Sequence, residues 1–267
     1  MKRNVLLGLS TLFLAILVYR GVFYSLVSPW VALPDIPGGV RALTLFLMLS
    51  SFFHAWYSLG GKNTLIFFVL SAVVAWIFEQ VGVETGLIYG PYHYTDRLGI
   101  KLGHVPLLIP LAWFMMIYPS YVISNLIADG QPDGTRGGIG RIVWLAFLGA
   151  MVMTAWDVAM DPIMSGPAMR AWTWEQGGPY FGVPAQNFAG WVLTTFAVYL
   201  LYRLFERKAA WQPAGPITPV VAAMPLVAYG AMMMSGALNA NPEAIQVIAP
   251  FVMGVPLLAA VERLFKR

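Results

Sequence analysis

Eight runs of apolar residues dominate this chain, at 5–27, 40–59, 64–83, 104–128, 139–160, 186–205, 219–238 and 244–264. Each is close to the roughly 20 residues that cross a bilayer as a helix. Backbone immersed in lipid must satisfy its own hydrogen bonds, so runs of this length fold there as helices. With 59% hydrophobic and 10% charged residues, little polar sequence remains for a soluble domain. The expectation is an all-α integral membrane protein, one transmembrane helical domain over residues 1–267 built as a bundle of about eight helices. Lys2 and Arg3 ahead of the first run resemble a signal peptide. Tyr19 and Arg20 stand where small residues would mark cleavage, so the run reads as an uncleaved first helix.

Basic residues sort by loop. Lys2, Arg3, Lys62, Arg136, Arg141, Arg203, Arg207, Lys208, Arg263, Lys266 and Arg267 fall on one side of the helices, and Arg41, Arg97, Lys101 and Arg170 on the other. The positive-inside rule then puts both termini in the cytoplasm, with the chain in the cell (cytoplasmic) membrane. It also accounts for the net charge of +4. No basic stripe with interleaved aromatics is present, so no nucleic-acid partner is expected. The absence of cysteine excludes disulfides and thiolate chemistry, and His54, His93 and His104 are too scattered for a histidine-rich metal centre. The Gly-rich loop 129–140 follows a helix rather than a strand and reads as a connector, not a nucleotide-binding loop. Residues 211–219 read as a proline-rich linker.

Two polar and aromatic stretches, 79–94 and 157–191, break the apolar pattern and carry carboxylates at helix ends, where lipid makes charge costly. Both fall on the face opposite the termini, as do His104 and Asn187. Asp157 and Asp161 are one helical turn apart on one face. Two like charges so close disfavour joint ionisation, so the pair is suited to keep a proton and donate it. The simpler alternative is that one caps a loop and the other meets interfacial water. Pro162 is expected to end or kink the helix at Asp161. Glu79 shares a helix face with Gly82 and Gly86, which would admit a neighbouring helix and turn Glu79 into the bundle, as a site group or as an interhelical hydrogen bond. Glu84 lies at the exit of the same helix. Asn187 either positions a water or completes a helix terminus. His93 and His104 flank the first loop, where a histidine is as readily a simple hydrogen-bonding group. His54, near the opposite face, reads as structural.

Tyr89, Tyr92, Tyr94, Trp156, Trp172, Trp174, Tyr180, Phe181 and Trp191 cluster in the same stretches. They form either an interfacial aromatic belt or a wall whose ring faces can stabilise a carbocation and stack a polyene. The two stretches also share a weak pattern. Each contains Gly-Pro-Tyr, at 90–92 and 178–180, and leads into the next helix through Val-Pro with Trp seven residues beyond the proline: Val105, Pro106, Trp113 and Val183, Pro184, Trp191. Proline is expected in the first helical turn. Duplication of a helix-loop-helix unit and coincidence both explain the pattern.

The residues Glu79, Glu84-Thr85-Gly86, Tyr89-Gly90-Pro91-Tyr92-His93-Tyr94, Val105-Pro106, Pro110-Leu111-Ala112-Trp113, Asp157, Asp161-Pro162, Trp172-Thr173-Trp174, Gly182-Val183-Pro184, Asn187-Phe188 and Gly190-Trp191 together resemble the membrane carotenoid-biosynthesis family. That family includes hydratases acting on γ-carotene, lycopene and bisanhydrobacterioruberin. The resemblance is densest over about 76–191. It implies a hydro-lyase that adds water across the terminal double bond of an acyclic carotenoid end, giving a tertiary alcohol without metal or organic cofactor. It further implies a substrate drawn from the bilayer through a lipid-facing slot, membrane lipids as neighbours, and contact with other carotenoid-biosynthesis enzymes. The residues fit roles in such a reaction. Asp157 or Asp161 would protonate the less substituted carbon, and Trp172, Trp174 and Tyr92 would line the tertiary cation. Glu79, with Asn187 or Glu84, would orient and deprotonate the water. Tyr89, His93, Tyr94, His104, Trp156, Tyr180 and Trp191 complete the expected substrate wall. Two other readings stay open: a different end-group modification, isomerisation or elimination, by the same acid chemistry, and a non-catalytic carotenoid or lipid binder or transporter. A transporter would place its polar residues near the midplane, whereas here they crowd one face.

Overall fold

The computed structural model describes residues 1–135, 137–209 and 214–266. Among them, eight helices are long and apolar enough to cross a membrane: α1 (Arg3–Val27), α2 (Gly39–Leu59), α3 (Gly61–Thr85), α4 (Leu108–Asp129), α5 (Ile139–Met164), α6 (Ala185–Lys208), α7 (Pro219–Leu238) and α8 (Ile245–Phe265). The protein is an all-α membrane bundle. Within α1, Tyr19–Phe23 form a π-helical turn. Arg136, Arg267 and residues 211–213 of the expected linker lie outside the described residues.

Helix α4 occupies the centre and packs against α2, α3, α5, α7 and α8. Every residue from Trp113 to Leu126 is buried. Tyr118, Ser120, Tyr121, Ser124 and Asn125 explain that position, because polar groups at bilayer depth need protein partners. The outward rows are apolar, as on α3 (Val69, Val73, Ile77) and α8 (Val247, Phe251, Val255).

Three internal prolines, Pro119, Pro162 and Pro225, are repaired by neighbouring side chains. Each removes an N–H and leaves the carbonyl four residues earlier without its helical donor, a deficit that lipid cannot make good. For Pro119 on α4, Ser51 Oγ donates to Met115 O at 2.9 Å. For Pro225 on α7, His54 Nε2 donates to Val221 O at 2.8 Å, while its Nδ1 accepts from Tyr118 Oη at 2.7 Å. For Pro162 on α5, Tyr180 Oη donates to Val158 O at 3.0 Å. Pro162 therefore does not end the helix at Asp161, which was one of the two outcomes expected of it. Helix α5 runs on to Met164.

The connection from α3 to α4 contains β1 (Tyr92–Tyr94), a 3₁₀ turn at Asp96–Leu98, and a small hairpin of β2 (Lys101–Leu102) and β3 (Val105–Pro106). The connection from α5 to α6 contains β4 (Trp172–Trp174), which pairs antiparallel with β1. Tyr92 lies opposite Trp174, His93 opposite Thr173 and Tyr94 opposite Trp172. The two polar stretches thus form one ribbon over the same end of the bundle. Alternation along a strand sends the tyrosines and tryptophans toward the helices and leaves His93 and Thr173 exposed. The hairpin corrects two expectations. His104 sits in its turn rather than at a helix start, and Pro106 is in β3, two residues before α4 begins. Gly103, at φ +65°, supplies the left-handed turn that the pairing requires. Pro184 is the N-cap of α6.

Candidate functional site

The ribbon places two buried carboxylates in matching cradles. Glu79, near the end of α3, accepts from Tyr92 Oη at 2.5 Å and Tyr94 Oη at 2.8 Å on Oε2, and from Trp113 Nε1 at 3.0 Å on Oε1. Asp161, near the end of α5, accepts from Trp172 Nε1 at 3.0 Å and Trp174 Nε1 at 3.1 Å on Oδ1, and from Asn187 Nδ2 at 2.9 Å on Oδ2. Each acid is held by the two inward aromatics of its own strand and by one side chain of the helix that follows. The Val-Pro-…-Trp half of the sequence pattern falls at related places in these two units. The Gly-Pro-Tyr half does not: Tyr92 belongs to the ribbon, whereas Tyr180 repairs α5.

Asp157 lies one turn back from Asp161. Asn187 joins the pair, donating one N–H to Asp157 Oδ2 at 2.8 Å and the other to Asp161 Oδ2. Asp157 Oδ1 is buried with no hydrogen-bond partner among the described residues. Both oxygens of Asp161 accept from N–H groups, so Oδ1 of Asp157 is the one carboxylate oxygen of the pair without a donor among the described residues.

Burial first, and then the charge of Glu79, push the phenols of Tyr89, Tyr92 and Tyr94 well above the usual tyrosine range, so all three remain hydrogen-bond donors. Tyr180, on the outer side, is pushed up to about 12, by burial and then by Asp157.

Tyr89 locks the two helical units together. A Cβ on Gly82 of α3 would come within 2.6 Å of its ring, and one on Gly190 of α6 within 2.5 Å. Sequence spacing assigned Gly82 to a close helix contact; its occupant is this loop ring. The Tyr89 hydroxyl bonds Thr194 Oγ1 at 2.7 Å. Gln186 Nε2 donates to the carbonyls of Gly86 and Leu87 at 3.0 and 2.7 Å, satisfying the C-terminal end of α3 from the start of α6.

Two cavities meet at these cradles. The larger, about 340 Å³, is mainly apolar and runs among α1, α2, α4, α5 and α7, with Leu43, Ile109, Met115, Met160 and Ile163 in its lining. Trp113, Trp156, Trp172 and Trp191 wall one side, and Arg20, Ser25 and Asn239 also border it. Of Glu79, Asp157 and Asp161, only Glu79 lines it. The smaller, about 20 Å³, is bounded by Glu79, Tyr89, Tyr92, Tyr94, Asp161, Trp172, Trp174, Asn187 and Trp191.

The structure therefore brings together Glu79, Asp157, Asp161, Asn187, Tyr89, Tyr92, Tyr94, Trp156, Trp172, Trp174 and Trp191. It leaves others outside. Glu84 is exposed, accepts from Gln80 at 2.5 Å and lies 3.9 Å from His104. His93 faces outward, 3.5 Å from Glu175. Trp113 is the main addition: it holds Glu79 and stacks on Trp191. Its signal was the shared Val-Pro-…-Trp spacing. The aliphatic and methionine lining of the large cavity gave none. Among the described residues, no three His, Asp or Glu side chains converge as a metal site would require.

A family model described as carotenoid biosynthesis protein matches residues 39–260. Bisanhydrobacterioruberin hydratase of Haloarcula japonica is 32% identical over 125 residues, covering 46% of this chain and 39% of that relative. The alignment thus spans well under half of the relative's length. No solved structure matches the chain.

Proposed function

The chain belongs to the carotenoid biosynthesis protein family, and on that premise we propose that it is a carotenoid hydratase, adding water to the terminal double bond of an acyclic end group. The observation that carries this reading is Glu79, a buried carboxylate on the wall of an apolar cavity faced with four tryptophans. The hydrocarbon end enters that cavity. Glu79, placed at its edge, delivers a proton to the less substituted carbon. Sequence spacing favours Asp157 or Asp161 for this step; Glu79 is preferred because, of the three, it alone lines the apolar cavity. Loss of its proton leaves a carboxylate that Tyr92, Tyr94 and Trp113 already stabilise with three donors. The faces of Trp113, Trp156, Trp172 and Trp191 offset the charge of the tertiary cation. Water then closes the reaction, which needs no metal or organic cofactor. The substrate comes from the bilayer, and the site lies on the membrane face opposite the cytoplasmic termini.

Expression in a bacterium that makes lycopene or γ-carotene, with pigments resolved by chromatography and mass spectrometry, tests the proposal. A product heavier by one water supports it; unchanged pigments beside folded, membrane-inserted protein overturn it for those substrates. Glu79→Gln should lower turnover by about 10²–10⁴-fold, the usual worth of a positioned acid.

A further inference from the structure

We propose that the small polar cavity at the ribbon is a binding site for one water molecule, the nucleophile of the hydration step; the inference rests on the hydratase reading. Its volume, about 20 Å³, exceeds the roughly 10–15 Å³ that a single water requires. The hydrogen-bond inventory of its lining then selects the guest and its orientation.

Apart from the acid proton of Glu79 and the indole N–H of Trp191, the donors of the lining are already committed. Tyr92 and Tyr94 donate to Glu79, and Trp172 and Trp174 to Asp161. Both amide hydrogens of Asn187 go to the aspartates. The hydroxyl hydrogen of Thr194 goes to Gly190 O at 2.9 Å, so Tyr89 must be the donor in its bond to Thr194. What remains is acceptor capacity: Glu79, Asp161, the Asn187 carbonyl and the Tyr89 oxygen. A molecule that donates two hydrogens fits this cell, and once Glu79 has given up its proton only the Trp191 N–H is left for it to accept from. At least one lone pair stays unengaged, the state a nucleophile needs.

Glu79, Tyr94, Trp172 and Trp191 line both cavities, so they are the wall between the bound water and the hydrocarbon. Once the π pair has taken the proton from Glu79 to form a C–H bond, the adjacent carbon is the cation. The water oxygen gives it a lone pair, forming the C–O bond. The proton released from that oxygen returns to the Glu79 carboxylate, restoring the acid. Asn187 and Asp161 act as positioning residues for the water, and Glu79 serves both proton steps.

Turnover of lycopene by the full-length protein in D₂O separates the two events. The wild-type product carries one deuterium on the carbon beside the carbinol. Asn187→Leu fills the cell and removes an acceptor; Asn187→Ser keeps a small polar group should the leucine variant fail to fold. In a folded variant, hydrated product falls by about 100-fold, the scale of a misplaced reactant. Deuterium still enters the recovered lycopene, because the cation forms and collapses back to alkene. Deuterium entry and hydration falling together, or hydration undiminished in the leucine variant, overturns the water site. Wild-type protein that gives neither deuterated lycopene nor alcohol instead overturns the hydratase reading itself.

Discussion

Trp113 and Trp191 stack with ring centroids 4.2 Å apart and planes 23° from parallel. One ring comes from α4 and the other from α6, so the contact joins the two helical units at the wall of the large cavity. Trp113 also donates its indole N–H to Glu79. These two jobs are separable. Trp113→Phe keeps an aromatic ring in the stack and removes the donor, so the variant should fold while turnover falls by roughly 10-fold or more, as for loss of a charge-assisted hydrogen bond. Trp113→Leu removes both and should also lower the melting temperature. Pigment conversion and thermal unfolding in detergent read the two effects apart.

The two aspartates should tolerate amide substitution unequally. Asp157→Asn still accepts from Asn187, and its N–H₂, though it gains no acceptor where Oδ1 stood, is set against no other donor. Asp161→Asn keeps one oxygen for the tryptophans but sets its N–H₂ against the N–H₂ of Asn187. A buried polar group left unsatisfied costs about 1–3 kcal/mol. Unfolding of the two purified variants should show Asp161→Asn as the less stable; equal stability would contradict the hydrogen-bond assignment.

Gly190→Ala should displace Tyr89, because the added methyl would meet both its ring and the carbonyl of Ile88 at 2.6 Å. Overpacking of this kind costs about 1–3 kcal/mol. Tyr89→Leu in the same background should recover part of the loss, a double-mutant cycle that a non-specific effect of alanine would not produce.

Tyr180→Phe leaves the Val158 carbonyl of α5 without the donor that compensates Pro162. The cost should be about 1–3 kcal/mol. Adding Pro162→Ala restores an N–H to the helix and should remove most of that difference.

Alkaline pH should destabilise the fold. The phenols of Tyr89, Tyr92, Tyr94 and Tyr180 are all raised, Tyr180 to about 12, so above about pH 10 the unfolded chain loses protons that the folded one keeps. Stability then falls as pH rises from about 10 through the folded values and is unaffected by these groups below that window. Melting temperatures from pH 8 to 11 should be flat and then drop, with a shallower drop in Tyr180→Phe. A level profile throughout would contradict the assignment.

The eight helices were legible because an apolar run of spanning length leaves the backbone no alternative. Their ends were less so. Residues 104–107 read as helix by hydrophobicity, yet the pairing of Lys101–Leu102 with Val105–Pro106 takes them into a hairpin. The ribbon is not legible in the sequence because Tyr-His-Tyr and Trp-Thr-Trp are each only three residues long, too short to tell strand alternation from an aromatic belt. Glu79, Asp157, Asp161 and Asn187 were found through the cost of polarity in lipid, a signal that survives without any knowledge of packing. Glu84, His93 and His104 carry suitable chemistry, but chemistry alone does not tell which way a loop turns. Met160 and Ile163 could not be singled out, since an apolar residue in an apolar helix carries no mark of the cavity it borders.

Glu79 is satisfied entirely from α3, β1 and α4, and Asp161 entirely from α5, β4 and α6. Each helical hairpin therefore brings its own acid into the bilayer already partnered. A nascent chain inserting in sequence order can release the first hairpin into lipid without holding a bare carboxylate until the second arrives.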